Sequence, residues 1–505
     1  MPQTHYDTII IGAGISGLTC AYRLQEAGQR VLLLEKAPRF GGAIRSARDG
    51  EWLIEAGPNS TLETTPLLTE LIRDAGVEDQ KLYASDASKN RYILKHGKLT
   101  ALPMSPPAFF KTGLFTWGTK LGLFGEPFRK PSPPDAQESV ADFVRRRLGQ
   151  EFLDYAINPF VAGVYAGDPE LLSVRAAFPK LYELEQTYGG LIKGQIKGAR
   201  ERKKRGEESK QSARMFSFLD GMQTLTDALA RAIPDKLHSA EVRAIRIGTD
   251  TSGSGDARSD ANAADTAAGG ASAHPAAVDS AAGAGGEAAD VPIHHPTRFT
   301  VTVAHDGGEK QFTARDLIIA TPAGAAAELS QSFAPEISAV LEEIPYPPVA
   351  EVITGYTPTA GMHPLDGFGF LIPKVEGRRI LGTIFSSTIF RKRAPEGRVH
   401  LTTFIGGMRQ PEEALRRDEE IVQTALDEQR ALLSTPEKPD FVYVTAWKHA
   451  IPQYVRGHLE RMATVDAVEK SHPGLHYCAN YRGGISVGDC VKSAHAVVER
   501  VMASR

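Results

Sequence analysis

Three glycines in the pattern Gly12-x-Gly14-x-x-Gly17 follow directly on the apolar run Tyr6-Asp7-Thr8-Ile9-Ile10-Ile11 and open a stretch of helical periodicity that reaches about Ala27. Glycine at these points lets the backbone turn sharply and lie against a pyrophosphate. The negative charge of that group is stabilised by free N–H groups at a helix start, here those of Ile15 and Ser16. Gly28 ends the helix, and Arg30-Val31-Leu32-Leu33-Leu34-Glu35 reads as a second buried strand. Glu35 puts a carboxylate where two ribose hydroxyls can donate to it, and its charge disfavours a 2′-phosphate. A glycine triplet alone is compatible with an ordinary turn. Strand, triplet, helix, strand and acid in this order specify an adenine dinucleotide and argue against NADP.

Two further segments bear on which dinucleotide is held. Just past Glu35 comes Lys36-Ala37-Pro38-Arg39-Phe40-Gly41-Gly42-Ala43-Ile44-Arg45-Ser46, and near the other end comes Tyr481-Arg482-Gly483-Gly484-Ile485-Ser486-Val487-Gly488-Asp489-Cys490. They resemble the second phosphate loop and the closing motif of the amine oxidase and phytoene desaturase flavoprotein superfamily. The resemblance implies non-covalent FAD, with Lys36, Gly41, Gly42 and Ala43 at the pyrophosphate. Ile485, Ser486 and Val487 would then bring a helix start to the ribityl and ring-carbonyl end of the flavin. It also implies cofactor contacts for Gly57, Pro58, Asn59 and Thr321, for the backbone of Val242 at the adenine, and for Trp447 beside the flavin. From the residues alone, Trp447 is equally well a core side chain.

Asn90-Arg91-Tyr92-Ile93, the segment 158–169 (NPFVAGVYAGDP), Phe216-Ser217-Phe218, and the segments 367–373, 381–387 and 401–407 are similar to the protoporphyrinogen oxidase family. The likeness runs from the first strand to the last helix. It implies a six-electron oxidation of protoporphyrinogen IX to protoporphyrin IX, or of coproporphyrinogen III to coproporphyrin III, with O2 reoxidising the flavin. Arg91 would pair with a propionate, Leu371 and Ile384 would sandwich one pyrrole ring, and Phe404 would stack on another. Ala166, where some relatives carry Gly, would narrow the far wall. Such roles suit a flat apolar macrocycle with few charged anchors. Without the resemblance, Leu371, Ile384 and Phe404 read as sheet core and Arg91 as a solvated charge. Rival readings on the same scaffold are an amine oxidase, a carotenoid desaturase, and a non-catalytic carrier like the Rab escort and GDP dissociation inhibitor proteins. No Ser-His-Asp set, Cys nucleophile or carboxylate pair stands in the matching segments, so no catalytic acid or base is assigned.

The elements that must position these residues imply an α/β fold. A discontinuous Rossmann-like FAD-binding domain is expected over 1–86, 214–335 and 440–505. An antiparallel-sheet substrate domain is expected over 87–97 and 336–439, and a helical domain over 98–213. In that last domain the aromatic stretch 98–134 either docks on a membrane surface or walls a pocket. Helices are expected from Ser139, over 181–204 with its basic end at 200–205, over 411–433, and from about Cys490. The segment 249–297, rich in Ala, Gly, Asp and Ser, reads as a disordered insert between the two strands of a hairpin.

A formal net charge of −3 gives no long-range pull towards nucleic acid. Cys20, Cys478 and Cys490 form no CxxC pair, which excludes a disulfide framework and lends no support to a metal site. No uninterrupted apolar run is long enough to cross a membrane, and a strand starts within the first ten residues, so a cytoplasmic or already processed protein is expected, with peripheral membrane contact left open. A homodimer is left open.

Overall fold

The computed structural model describes residues 5–197, 213–248 and 298–504. The insert expected to be disordered and the basic run 200–205 lie outside the described residues.

The first sheet is built on His5–Ile11, whose isoleucines Ile9 and Ile10 are fully buried. It pairs in parallel with Val31–Leu34 on one side and with the second half of Gly308–Ile319 on the other. Runs of Val, Leu and Ile suit this position because a parallel sheet is covered on both faces. Lys236–Leu237 extends the edge beside Val31–Leu34, and Leu475–Tyr477 adds to Gly308–Ile319 in parallel. The first half of Gly308–Ile319 runs antiparallel to Phe299–His305, which in turn pairs antiparallel with Glu241–Ile247. This is the hairpin expected around the insert. Helices Ile15–Glu26, Pro66–Asp74, Gln223–Ala232 and Val487–Ala503 supply the core on one face. Ala323–Ser330, Pro335–Glu342 and His458–Ser471 supply it on the other.

The second sheet runs Phe441–Trp447, Val349–Tyr356, Val399–Gly406, Ile380–Ile384, Gly369–Leu371, Tyr92–Lys95, Lys98–Ala101. It is antiparallel as expected except at one join, where Gly369–Leu371 meets Tyr92–Lys95 in parallel. Those two strands come from distant parts of the chain and no hairpin forces them to oppose. Helix Asp418–Leu433 buries Ile421, Ala425 and Leu433 on the face formed by Ala350, Val352, Leu401 and Ile405. Residues alternate along a strand, so the opposite face carries Val349, Glu351 and Phe404. That face is turned towards helix Asn158–Tyr165.

Three helix expectations are corrected. The helix expected over 181–204 is broken rather than continuous: Gly189 adopts φ +74° and caps Pro179–Tyr188 in the left-handed conformation, helix resumes over 191–197, and 198–204 lies outside the described residues. The 411–433 segment is a short 3₁₀ turn, Pro411–Leu415, followed by Asp418–Leu433, with Arg416 extended between them. The last helix begins at Val487, because Ser486 accepts a hydrogen bond from the Asp489 amide and so caps it. Met215–Phe218, expected to lead back into the dinucleotide fold, joins Thr61–Leu62 and Lys81–Tyr83 in a small separate sheet.

In the helical region, Arg147 is fully buried between Glu185 and Glu126, and it also donates to Arg129 O at 3.0 Å and Gly189 O at 3.1 Å. Glu126 accepts from the amides of Leu191 and Ile192. One guanidinium thus joins the end of helix Val140–Arg147 to the turn at Glu126 and to the end of helix Pro179–Tyr188. No helix among the described residues is long and apolar enough to cross a membrane. Arg147→Met leaves the buried Glu126 without its cation and takes one of two from Glu185, which keeps Arg146, and it is expected to cost about 3–5 kcal/mol, read as a lowered urea midpoint.

Candidate cofactor and substrate site

The glycine loop is set by backbone contact. A Cβ on Gly17 would lie 1.9 Å from Gly12 O, and one on Gly12 would lie 2.8 Å from Ala320 O, so neither position admits a side chain. Gly41 N donates to Ala13 O at 2.8 Å, and a Cβ on Gly42 would stand 2.9 Å from Gly14 Cα. A Cβ on Gly57 would fall 2.1 Å from Ala43 O. The loops at 12–17, 41–43 and 57–59 are therefore stacked one on the next, and Asn59 Nδ2 donates to Gly57 O. Above Gly14 the space is open, and no side chain caps the helix that starts there. Beside Gly12, the buried Thr321 Oγ1 has no hydrogen-bond partner. An uncapped helix start, an open space and an unpartnered hydroxyl fit a dinucleotide phosphate.

The closing motif reaches the same place through helix packing. Ser16 lies beside the Cys490 thiol, and Cys20 Sγ lies 3.7 Å from Ala494 O. Matched spacing along both chains means that Ile15–Glu26 and Val487–Ala503 run side by side in the same direction. Their positive ends, at Ile15 and Ser16 and at Ile485, Ser486 and Val487, consequently open on one side. Glu35 accepts from the amides of Ala13 at 2.7 Å and Ala37 at 2.8 Å, and its carbonyl accepts from Ala240, two residues before Val242. Lys36 departs from expectation. Its ammonium is 2.8 Å from Glu241, which holds its pKa above the ordinary value, and the side chain is largely exposed. Arg39 lies in the double-glycine loop instead, donating to the carbonyls of Phe40, Gly42 and Ile44. It stiffens the loop.

The expected substrate residues share one face of the second sheet. Phe404 stands opposite Glu351 and Gly382, Leu371 opposite Gly382, and Ile384 opposite Gly369 and Thr402. The pair Val349 and Trp447 continues that face towards the cofactor loops. Arg45 joins the two parts, donating to Tyr443 Oη at 2.8 Å and lying 5.9 Å from the Trp447 ring. Helix Asn158–Tyr165 forms the wall, so close that a Cβ on Gly163 would be 2.7 Å from Leu371. Ala166 ends that helix at φ +49°, and its carbonyl accepts from Met408 N. Arg91 is exposed at the rim, its guanidinium 5.4 Å from the Phe368 ring, with no carboxylate partner among the described residues.

Sequence reasoning passed over two acids here, Glu351 on this face and Glu55 close enough to feel its charge. Glu55 accepts from Met222 N at 2.9 Å and from Ser46 Oγ at 2.5 Å, with Arg393 Nη2 at 3.4 Å. Burial raises its carboxyl to about 7, against the pull of Arg393. Burial, and then the charge of Glu55, raise Glu351 to about 8, only partly opposed by the Gly57 amide, the Trp447 indole and Arg45. Nearby His400 is pushed down to about 3 by burial and by Arg393, so it is neutral. The available signal was Glu351 itself, an acid in a strand whose other residues are nearly all apolar.

These glycine loops and converging helix starts define a flavoprotein oxidoreductase, and the chain belongs to the flavin containing amine oxidoreductase family, whose model matches residues 15–267 and 292–502. Within that family it is similar to the mitochondrial protoporphyrinogen oxidase of Nicotiana tabacum, at 30% identity over 96% of this chain and 92% of that one. It is also similar to the coproporphyrinogen III oxidase of Bacillus subtilis (strain 168), at 25% identity over 97% and 96%. In fold, a crystal structure from Exiguobacterium sp. 255-15 matches with a TM-score of 0.75 at 20% identity over all of both chains. A putrescine oxidase structure matches over all of both chains with a TM-score of 0.67 at 15% identity.

The raised carboxyl of Glu351 has a stability consequence. A folded pKa above the unfolded one contributes stability that is complete below about pH 4.3 and is lost as pH rises through about 8. Glu351→Gln is therefore expected to gain on the parent chain by up to a few kcal/mol between about pH 5 and pH 9. Urea midpoints of both proteins across that range measure the gain, and a constant difference would refute it.

Proposed function

We propose that this chain oxidises a porphyrinogen, protoporphyrinogen IX or coproporphyrinogen III, to the corresponding porphyrin, with FAD as cofactor and O2 as acceptor. The observation that carries this reading is the single sheet face on which Leu371, Ile384 and Phe404 lie in register beside the cofactor loops, with the unpaired Arg91 at its rim. A flat, largely apolar molecule bearing carboxylates matches such a face. An ammonium substrate would instead want an acid where Arg91 stands. The relatives named above are porphyrinogen oxidases of both kinds, which supports the same class and leaves the choice between them to assay.

In this reading Leu371 and Ile384 enclose one pyrrole ring and Phe404 stacks on another. Arg91 pairs with a propionate through two parallel hydrogen bonds. The Ala166 segment and helix Asn158–Tyr165 close the far side and keep water out. The Gly12, Gly41 and Gly57 loops, with the two helix starts, hold the FAD phosphates and flavin rim, Glu35 and Val242 the adenosine end. FAD, when bound, supplies hydride acceptance and reaction with O2. The protein supplies orientation and a dry slot.

The aromatic stretch contains both buried and exposed rings. Leu114 and Phe115 are buried, whereas Trp117, Phe124 and Phe128 are 63%, 64% and 84% exposed. Lys193 lies 5.7 Å from the Phe128 ring. Exposed rings with a cation beside them suit shallow docking in lipid headgroups, and the reading includes peripheral association with a membrane surface.

Parallel turnover assays with both porphyrinogens, followed by porphyrin fluorescence, test the function, and turnover of neither refutes it. Arg91→Ala is expected to raise KM by the equivalent of about 1–3 kcal/mol with little change in kcat; unaltered KM refutes the propionate contact. The protein is expected to co-sediment with anionic liposomes and to lose that on Trp117→Ser with Phe128→Ser. Sedimentation that is unaffected would remove the docking role.

A further inference from the structure

Glu351 lies in the middle of Val349–Tyr356, a strand in which every residue is buried, and it faces the same way as Phe404 and Trp447. It is 4% exposed, and its Oε2 has no hydrogen-bond partner within normal distance. Neither nearby cation neutralises it. Arg45 is turned to Tyr443 and Thr445, and Arg393 goes to Glu55 and Ser217. Packing does not account for an acid here, since an apolar side chain would avoid the desolvation cost.

We propose that Glu351, with Glu55 behind it, holds the proton that the reaction releases and later takes back. The inference rests on the porphyrinogen reading above. In each two-electron round a methylene C–H breaks with its electron pair leaving as hydride to FAD. A pyrrole N–H also breaks, its pair entering the new π system and its proton going to the Glu351–Glu55 pair; after the third round the extra hydrogen on the fourth bridge shifts to a ring nitrogen, which leaves the two N–H groups of the porphyrin. O2 then accepts the hydride equivalent together with one proton, giving H2O2 and restoring the starting state. One proton must be stored between the two halves of the cycle. A pair of carboxyls that feel each other's charge, raised to about 8 and about 7, gains or loses one proton near neutral pH, where such storage is cheapest. The charged or titratable groups facing the pair are Arg45, Arg393 and His400, the last of them neutral.

The test uses the full chain with its bound flavin, reduced electrochemically without any porphyrinogen and followed by infrared difference spectroscopy, with visible absorbance confirming flavin in each sample. Reduction is expected to produce a protonated-carboxyl C=O band that shifts in D2O, is lost in Glu351→Gln and returns, displaced, in Glu351→Asp. Glu55→Gln removes the neighbouring like charge and is expected to move the pH midpoint of that band downwards. An unchanged band in Glu351→Gln, or no carboxyl change in a parent chain whose flavin is reduced, overturns the proposal. Because no porphyrinogen is present, a wrong substrate assignment would appear only in the turnover assays and not in this experiment.

Discussion

Backbone lying directly on backbone around Gly12 is the constraint on which the rest of the molecule depends. Gly17 against Gly12, Gly42 against Gly14 and Gly57 against Ala43 form a continuous stack in which no side chain fits. Such contacts leave amides pointing outward with nothing to satisfy them, and an anionic ligand is what satisfies them most simply. The first sheet exists to hold this stack. Its central strand, His5–Ile11, delivers Gly12, and its neighbour Gly308–Ile319 delivers Ala320 and Thr321 to the same point.

The second sheet divides its two faces between different tasks. One face is packed on helix Asp418–Leu433 and is ordinary core. The other carries Trp447, Glu351, Phe404, Leu371 and Ile384, with Arg45 tying its near edge to the glycine loops. The positions proposed for substrate and cofactor thus belong to one continuous surface, with Glu351 on it and Glu55 near enough to feel its charge.

Local pattern made part of this legible. The strand, glycine, helix, strand and acid order at the start of the chain is carried by nearest neighbours, as is the hairpin flanking the insert, and both were readable from periodicity. Features decided by a single residue were not: Gly189 interrupts a helix that periodicity draws as continuous, and Ser486 moves a helix start by several positions. What lay furthest beyond reach was long-range pairing. Nothing near Lys36 in the sequence announces Glu241, and nothing near Glu351 announces Glu55. A charge's partner is chosen by topology, so a basic residue beside a phosphate loop reads as a phosphate ligand until the sheet order is known. Arg91 was nameable only through family likeness, because an exposed arginine has no local signature.

The same-direction packing of Ile15–Glu26 against Val487–Ala503 makes the positive rim a long-range object, since Cys20 and Ala494 meet across 474 residues of sequence. Neither half of the rim has local contacts that hold it against the other, so the rim forms only once that long loop has closed, and a cut or local opening that frees either helix takes half of the phosphate-facing amides with it.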